Sequence, residues 1–161
     1  GKSIRFRESD VRSVGRTAIG VRGIRLANND RVVSLIVAES IDPILTATEK
    51  GYGKRTLLDE YRAQARGGSG VISIKTSDRN GQVVGAIQVT DEDEMMLISD
   101  KGTLVRARAA DVSVIGRNTQ GVTLINIAED EKLVSVAKIA ETDDEDTNDL
   151  NNDVVSSEPE E

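Results

Sequence analysis

Arginine residues recur at fixed positions along this sequence, and the chemistry they offer is the binding of anions. A guanidinium group keeps its positive charge at physiological pH and donates hydrogen bonds in a planar fork that matches phosphate oxygens. The first set is Arg5, Arg55 and Arg106, and the second set is Arg16, Arg66 and Arg117. Lys54 and Arg22 add positive charge near them, and we predict that all of these residues contact a polyanion.

The two sets differ in their sequence surroundings. Each arginine of the first set stands five residues before an acidic residue, namely Asp10, Glu60 or Asp111. For the first set, an ion pair with this acidic residue, within the same repeat of the sequence, is therefore an interpretation of equal weight to contact with phosphate. Members of the second set have Gly or Asn beside them, which favours phosphate contact. The nearby glycines are predicted to form turns rather than to cradle phosphate, because turns between strands need positive φ angles.

The residue types that most often carry catalysis are missing. The chain has no His and no Cys, which excludes zinc fingers, thiol nucleophiles and imidazole bases. The acidic run at 91–94 lacks the spacing of an EF-hand and is predicted to be a solvated hairpin loop. We therefore predict no catalytic residue, no metal site and no cofactor in this chain. The absence of Cys also fits a reducing cytoplasm, and no apolar run is long enough to span a membrane.

The charges of the chain are segregated along its length. All 21 Lys and Arg lie in residues 1–140 with 18 of the 28 acidic residues, which gives that stretch a net charge of +3. Residues 141–161 hold the other ten acidic residues and no base. A basic body favours a polyanionic partner, and the acidic tail is predicted to be disordered. One hypothesis is that the tail folds back on the basic rim that the repeated arginines would form and competes with the polyanion, and the alternative is a solubility tail.

These charged residues are positioned by an internal repeat. Gly-Val pairs begin at Gly20, Gly70 and Gly121, at spacings of 50 and 51 residues. Counted from each pair, the same residue types return at the same offsets, in the pattern G-x3-R-x4-[DE]-[VY]-x4-R-x3-G-V-x2-I. We predict three units, at about 1–50, 51–101 and 102–140, followed by the tail.

Each unit contains short runs rich in Val, Ile and Thr, bounded by Gly, Asn and Asp, and none shows a sustained helical period. The predicted strands are Val32–Val37, Ile44–Thr48, Val71–Ile74, Val83–Val89, Met95–Ser99, Val122–Ile127 and Leu133–Ile139. The predicted class is all-β, with propeller-like blades of about four antiparallel strands. Three blades are too few for a closed propeller, so we expect an incomplete ring. The chain also lacks an initiator Met, which leads us to expect a fragment of a longer protein.

The kind of polyanion follows from composition and repetition. Aromatic residues make up 2% of the chain, which argues against base stacking and therefore against binding of single strands or RNA loops. Bending stiff duplex DNA costs several kcal/mol, which only many distributed contacts offset. A repeated array of arginines supplies such contacts, so we predict a partner that is duplex DNA held through its phosphates.

The sequence contains the segments GRTAIGVRGIRL, ARGGSGVISIKTSDRNGQVVGAIQV and GTLVRARAADVSVIGRNTQGVTLI. They closely resemble the C-terminal domain family of DNA gyrase A. The resemblance implies a β-pinwheel that wraps duplex DNA on its rim. It also implies a parent ATP-dependent type II topoisomerase of the bacterial cytoplasm and nucleoid, with ATP and Mg bound elsewhere in the holoenzyme. The implied protein partners are the rest of gyrase A together with gyrase B.

The resemblance includes a degenerate copy of the gyrase box. That box normally reads Q-[RK]-R-G-G-[RK]-G, and the corresponding residues here are Gln64, Ala65, Arg66, Gly67, Gly68, Ser69 and Gly70. Ala65 and Ser69 replace two basic residues, which argues against a box function of this segment. Two alternatives stay open: the equivalent domain of topoisomerase IV, and a propeller fragment that binds proteins.

Overall fold

The computed structural model describes residues 1–140, and the predicted acidic tail at 141–161 lies outside the described residues. The strands are β1 (Lys2–Ser3), β2 (Ile44–Thr48), β3 (Tyr52–Thr56), β4 (Val71–Ile72), β5 (Val83–Gln88), β6 (Glu94–Ser99), β7 (Leu104–Arg108), β8 (Val122–Thr123) and β9 (Leu133–Lys138). Single 3-10 turns lie at Glu8–Asp10, Leu58–Glu60 and Ala109–Asp111. No helix in this described part is long and apolar enough to cross a membrane.

The strands form antiparallel sheets in which neighbouring units exchange strands. Hairpin β2–β3 forms the centre of one larger sheet, with the order β5-β2-β3-β8, whereas in the other, with the order β7-β6-β9, β6 is central and its hairpin partner β7 is an edge strand. Strand β8 belongs to the third unit but pairs with β3 of the second, and β4 of the second unit pairs in the same way with β1 of the first. The predicted all-β class with open, propeller-like sheets is confirmed.

The main core lies between the two larger sheets. Strand β2 contributes Leu45 and Ala47, β6 contributes Met95 and Leu97, and β9 contributes Leu133, all of them essentially buried. Every residue of β2 is buried, since its sheet is covered on both faces, whereas β6 alternates between buried and half-buried positions. Each blade therefore buries apolar surface mainly against its neighbour, as expected from a chain with 37% apolar residues.

One predicted strand does not form. The run Val32–Val37 is irregular, and its Leu35 and Val37 side chains are 89% and 73% exposed. In the next unit the corresponding strand, β5, pairs with β2, in a register that places Gln88 opposite Ile44. Counted back by the same number of residues, the partner of the Val32–Val37 run would lie before Gly1. The run therefore has no pairing strand among the described residues. The run is held to β5 by the Ala86 N–H, which donates to Ser34 Oγ at 2.9 Å.

Another strand was missed because its sequence is polar. Strand β3 reads Tyr-Gly-Lys-Arg-Thr, yet its last four residues are buried. Its charged side chains are satisfied by carbonyl groups of the next unit, an arrangement that a local apolar pattern does not reveal. Because β3 and β7 hold Arg55 and Arg106, and Arg5 follows their counterpart β1 at a distance of two residues, these strands position the candidate site.

Candidate nucleic-acid interface

The candidate site lies where successive units meet. We call these two places junction 1–2, where β1 pairs with β4, and junction 2–3, where β3 pairs with β8. Each junction also receives a glycine loop, the segment between a 3-10 turn and the following Gly-Val pair. Residues 61–70 form the glycine loop of junction 1–2 and residues 112–121 that of junction 2–3, and residues 11–20 are the equivalent loop of the first unit.

The first arginine set reaches forward across the junctions. Arg5 Nη1 donates to the carbonyl oxygens of Leu58 at 3.1 Å and Tyr61 at 3.3 Å. Arg55 Nε donates to the Val112 carbonyl at 2.8 Å, and its Nη1 pairs with the Asp91 carboxylate.

Arg106, the third member of the set, is exposed and pairs with Glu94. The carboxylates that Arg55 and Arg106 contact are thus not the acidic residues five positions later. The structure therefore does not support the interpretation of ion pairs within each unit at that spacing.

The second arginine set reaches backward across the same junctions. Arg66 donates from Nε to the Asp10 carbonyl at 3.0 Å and from Nη1 to the Arg22 carbonyl at 2.5 Å. Arg117 Nη1 donates at 2.8 Å to the carbonyl of Ile72, the residue equivalent to Arg22 in the second unit. These guanidinium groups stabilise the junctions, and their contact with DNA stays a prediction. Arg16 and Arg22 have exposed side chains.

The glycines of the degenerate box permit close backbone packing. Gly70 has φ +70°, and a Cβ there would lie 2.2 Å from the Ser3 carbonyl oxygen of the preceding unit. The Gly67 N–H donates to the Gly23 carbonyl at 2.7 Å, so this amide is not free for a phosphate. The contacts of Gly67 and Gly70 fit the predicted role of these glycines as turn and packing residues.

Lys54 lies beneath the third glycine loop. Its side chain is fully buried, and Nζ donates to the carbonyl oxygens of Gly116 at 2.5 Å and Arg117 at 2.7 Å. Desolvation lowers the pKa of Lys54 to about 8, although the Glu60 carboxylate opposes this change. In the free chain its ammonium group therefore holds the loop and does not face solvent, so a direct DNA contact by Lys54 stays an untested prediction.

Four exposed basic residues outside the predicted contact set occupy equivalent repeat positions. Arg12 and Arg62 lie in the first two glycine loops, and Arg25 and Lys75 follow the Gly-Val strands of the same units. The backbone N–H of Arg25 donates to Gly68 O, and that of Lys75 donates to Thr119 O, both at 2.8 Å. A base of one unit thus lies beside the glycine loop of the next. We call Arg12, Arg25, Arg62 and Lys75 the junction cations. Their recurrence in two of the three units was the available signal.

The acidic run at 91–94 is tied into the fold rather than freely solvated. Asp93 accepts a hydrogen bond from the Thr90 N–H at 2.7 Å and pairs with Lys138 at 2.8 Å. Burial opposes ionisation of Asp93, but the hydrogen bonds from Lys138 and Thr90 outweigh it and lower the pKa of this carboxyl. Within residues 1–140, no group of acidic side chains is arranged to hold a metal ion.

This architecture defines a propeller-like β-protein whose units are joined by exchanged strands and by arginines that cross each junction. The family model of the DNA gyrase C-terminal domain, a β-propeller, matches residues 1–39, 42–90 and 93–140. The chain belongs to the DNA gyrase C-terminal domain family, as the three segments of the sequence indicated.

Individual relatives agree with this assignment. DNA gyrase A of Klebsiella oxytoca is 60% identical over 146 residues, which are 90% of this chain and 17% of that protein. A solved DNA gyrase A C-terminal domain superposes with a TM-score of 0.81 at 32% identity, covering 87% of this chain and 48% of that one. The C-terminal domain of DNA topoisomerase IV gives a TM-score of 0.79 at 27% identity, covering 86% and 44%. The chain thus spans about 17% of the length of the curated relative.

Proposed function

We propose that residues 1–140 bind duplex DNA non-catalytically, with the junction cations on the phosphate backbone. The observation that carries the proposal is the return of exposed bases at equivalent repeat positions of the first two units, each in or beside a glycine loop. An array of this kind contacts phosphates at regular intervals along a curved path and reads no base sequence. Arg16 and Arg22, which are exposed and lie in the same region of the first unit, extend the array.

The array is suited to bending DNA rather than to gripping it at one point. Because each junction adds a contact of the same kind, the attraction grows with the length of duplex that follows the surface. This gain offsets the elastic cost of curvature, which is several kcal/mol for a bend of a few tens of degrees. The arginines that cross the junctions keep the contacts at fixed spacing, so the protein is preorganised for a bent duplex.

The wider role proposed for the chain is that of a wrapping module in gyrase A. There it would act with the rest of gyrase A and with gyrase B in ATP-dependent supercoiling, and ATP and Mg would bind to those parts. A role in topoisomerase IV is the second candidate, because the solved topoisomerase IV domain has nearly the same TM-score. The higher identity to gyrase, in both the curated relative and the solved domain, favours the first.

The proposal is tested with a duplex carrying a fluorophore at each end. Binding of the chain should raise energy transfer between the ends, since a bent duplex brings them together. The matched single strand should bind more weakly, because few aromatic side chains are available to stack on its bases. Equal affinity for both DNAs, or binding without a change in energy transfer, would contradict the proposal.

A further inference from the structure

Junction 1–2 and junction 2–3 are built from equivalent repeat positions, but the side chains at those positions differ in charge. Four of the positions lie in or beside the glycine loop of each junction. At junction 1–2 they hold four exposed arginines, namely Arg7, Arg22, Arg25 and Arg62. At junction 2–3 the same positions hold Leu57, Ile72, Lys75 and Ser113. Four cations at the first junction thus correspond to one cation at the second.

Contacts across the junctions place these positions beside the loops. Arg7 lines an open cleft together with residues 63–65 of the loop at junction 1–2. At junction 2–3, Thr56 Oγ1 donates to the Ile115 carbonyl at 2.8 Å, which places its neighbour Leu57 beside that loop. The other three positions belong to the loop itself or carry a backbone group that bonds across the junction. The two sets of side chains therefore face equivalent stretches of surface.

Exposed apolar side chains take the place of cations at junction 2–3. Leu57 is 49% exposed and Ile72 is 40% exposed, although each corresponds to an arginine at junction 1–2. Val114, in the loop between them in repeat position, is 44% exposed and corresponds to Ala63. A phosphate that approaches such a side chain loses water and gains no hydrogen-bond partner. Junction 2–3 therefore attracts a phosphate less and also opposes its close approach.

Other charged groups near the loops do not cancel this difference. Each junction has two acidic residues in its 3-10 turn, which are Glu8 and Asp10 at junction 1–2 and Asp59 and Glu60 at junction 2–3. Lys54 adds a cation at junction 2–3, but it is buried and donates to loop carbonyls. A further position is balanced, because the exposed Lys2 corresponds to Tyr52, over whose ring Arg79 lies at 5.0 Å.

We propose that the two junctions hold duplex DNA unequally, with junction 1–2 as the principal contact and junction 2–3 as the weak contact. This inference rests on the proposed function and assigns the binding strength within it. Four arginines hold the phosphates at junction 1–2, whereas Lys75 is the main free cation among the four positions at junction 2–3. The duplex therefore lifts from junction 2–3 first as salt rises, and part of its bend is released while junction 1–2 keeps it bound.

The experiment locates a bound duplex on the whole chain. Because the sequence has no Cys, a single introduced Cys carries a photocrosslinker to one chosen junction. Ala63→Cys and Val114→Cys occupy the same repeat position in the two glycine loops, and both positions are exposed. With a duplex of about one helical turn, we expect a severalfold higher crosslinking yield from position 63 than from position 114.

An exchange of side chains between the junctions is the matched control. One triple variant gives junction 1–2 the residues of junction 2–3, by Arg7→Leu, Arg22→Ile and Arg62→Ser. The converse triple variant is Leu57→Arg, Ile72→Arg and Ser113→Arg. The first should lower the magnitude of the salt slope by about 2.7, the value for three phosphate contacts, and the second should raise it. A chain with both triples keeps the parent composition and net charge, and it should crosslink more from position 114 than from position 63.

Circular dichroism checks that each variant is folded, and the two single-Cys chains keep the test decisive if a triple variant unfolds. Equal crosslinking yields from the two positions of a chain that binds duplex DNA would overturn this inference alone. So would a chain with both triples that keeps the parent preference for position 63. A parent chain that does not bind duplex DNA would overturn the proposed function as well.

Discussion

At the residue scale, two arginines four positions apart in one glycine loop have different surroundings. Arg62 is exposed, whereas Arg66 is half-buried and donates to two carbonyl groups of the preceding unit. Their side chains carry the same charge, so differences between their variants report on position. We therefore propose that Arg62 contacts DNA and that Arg66 mainly stabilises the junction.

We expect Arg62→Ala to weaken duplex binding and to lower the slope of log affinity against log salt by about 0.9, the value for one phosphate contact. Its free energy of unfolding should change little, because the side chain is exposed. Arg66→Ala should instead lower the free energy of unfolding by roughly 1–3 kcal/mol, since two carbonyl acceptors at the junction lose a charged donor. Fluorescence anisotropy and urea unfolding of both variants measure the two quantities.

Lys138→Ala is the matched control, because it removes one positive charge that is already paired with Asp93 outside the glycine loops. Its salt slope should be closer to that of the parent chain than the slope of Arg62→Ala. The opposite result is that Arg62→Ala has the lower free energy of unfolding and Arg66→Ala the lower salt slope. In that case Arg62 would stabilise the junction and Arg66 would contact DNA.

Lys54 makes stability depend on pH in alkaline solution. The folded chain releases the Lys54 proton at a pKa of about 8, whereas the unfolded chain keeps it up to the ordinary lysine pKa of 10.5. Between these values the unfolded state binds more protons, so raising the pH through this window stabilises the fold. The neutral amine still donates to both loop carbonyls.

The free energy of unfolding of the parent chain minus that of Lys54→Met should therefore increase from about pH 8 upward. Urea titrations of both proteins at a series of alkaline pH values measure this difference. A difference that stays constant or falls over the window would show that Lys54 is not desolvated in the folded chain.

At the element scale, the sequence predicted most strands but not how they pair. Ile44–Thr48 was predicted with its observed bounds, because five consecutive apolar or β-branched residues end at a turn. The fate of Val32–Val37 depends on a pairing strand, and burial of β3 depends on carbonyl groups about sixty residues away. Neither dependence is visible in a local pattern. The repeat likewise predicted which arginines belong to the site, but not the direction in which each side chain points.

The exchanged strands depend on glycine where they meet the preceding unit. Gly121 has φ +81°, and a Cβ there would lie 2.5 Å from the Gly53 carbonyl oxygen in β3. Gly67 has nearly the same φ, +83°, but its nearest non-neighbouring atom would be 3.4 Å away, an ordinary contact. Substitution of Gly67 therefore measures the cost of the left-handed backbone conformation alone, whereas substitution of Gly121 adds the cost of the steric clash with Gly53.

We expect Gly121→Ala to lower the free energy of unfolding by more than Gly67→Ala does, with roughly 1 kcal/mol for Gly67→Ala from the left-handed backbone alone. The additional loss at Gly121 measures the packing of β8 on β3. Equal losses in thermal or urea unfolding would mean that β8 moves away from β3 without cost.

At the scale of the whole molecule, the segregated charge predicts an effect of the tail on DNA binding. Residues 141–161 carry ten acidic residues next to a body of net charge +3. Tethering keeps this polyanion at high effective concentration near the basic surface. Deleting 141–161 should therefore raise duplex affinity, and more strongly at low salt than at high salt.

The control for this deletion is a tail of the same length with Asn and Gln in place of the acidic residues. It should behave like the deletion, because charge and not chain length is responsible. Unchanged affinity and salt dependence after deletion would contradict the hypothesis of a competing tail and leave a solubility role.

The central claim is that the junction cations hold the phosphates of duplex DNA, and the salt dependence of binding tests it most directly. Affinity for one duplex is measured at several salt concentrations for the parent chain and for a variant with Arg12, Arg25, Arg62 and Lys75 all changed to Ala. Four lost phosphate contacts should reduce the magnitude of the slope by about 3 to 4, in addition to weakening the affinity. A variant that remains folded and binds duplex DNA with the parent slope would contradict the account.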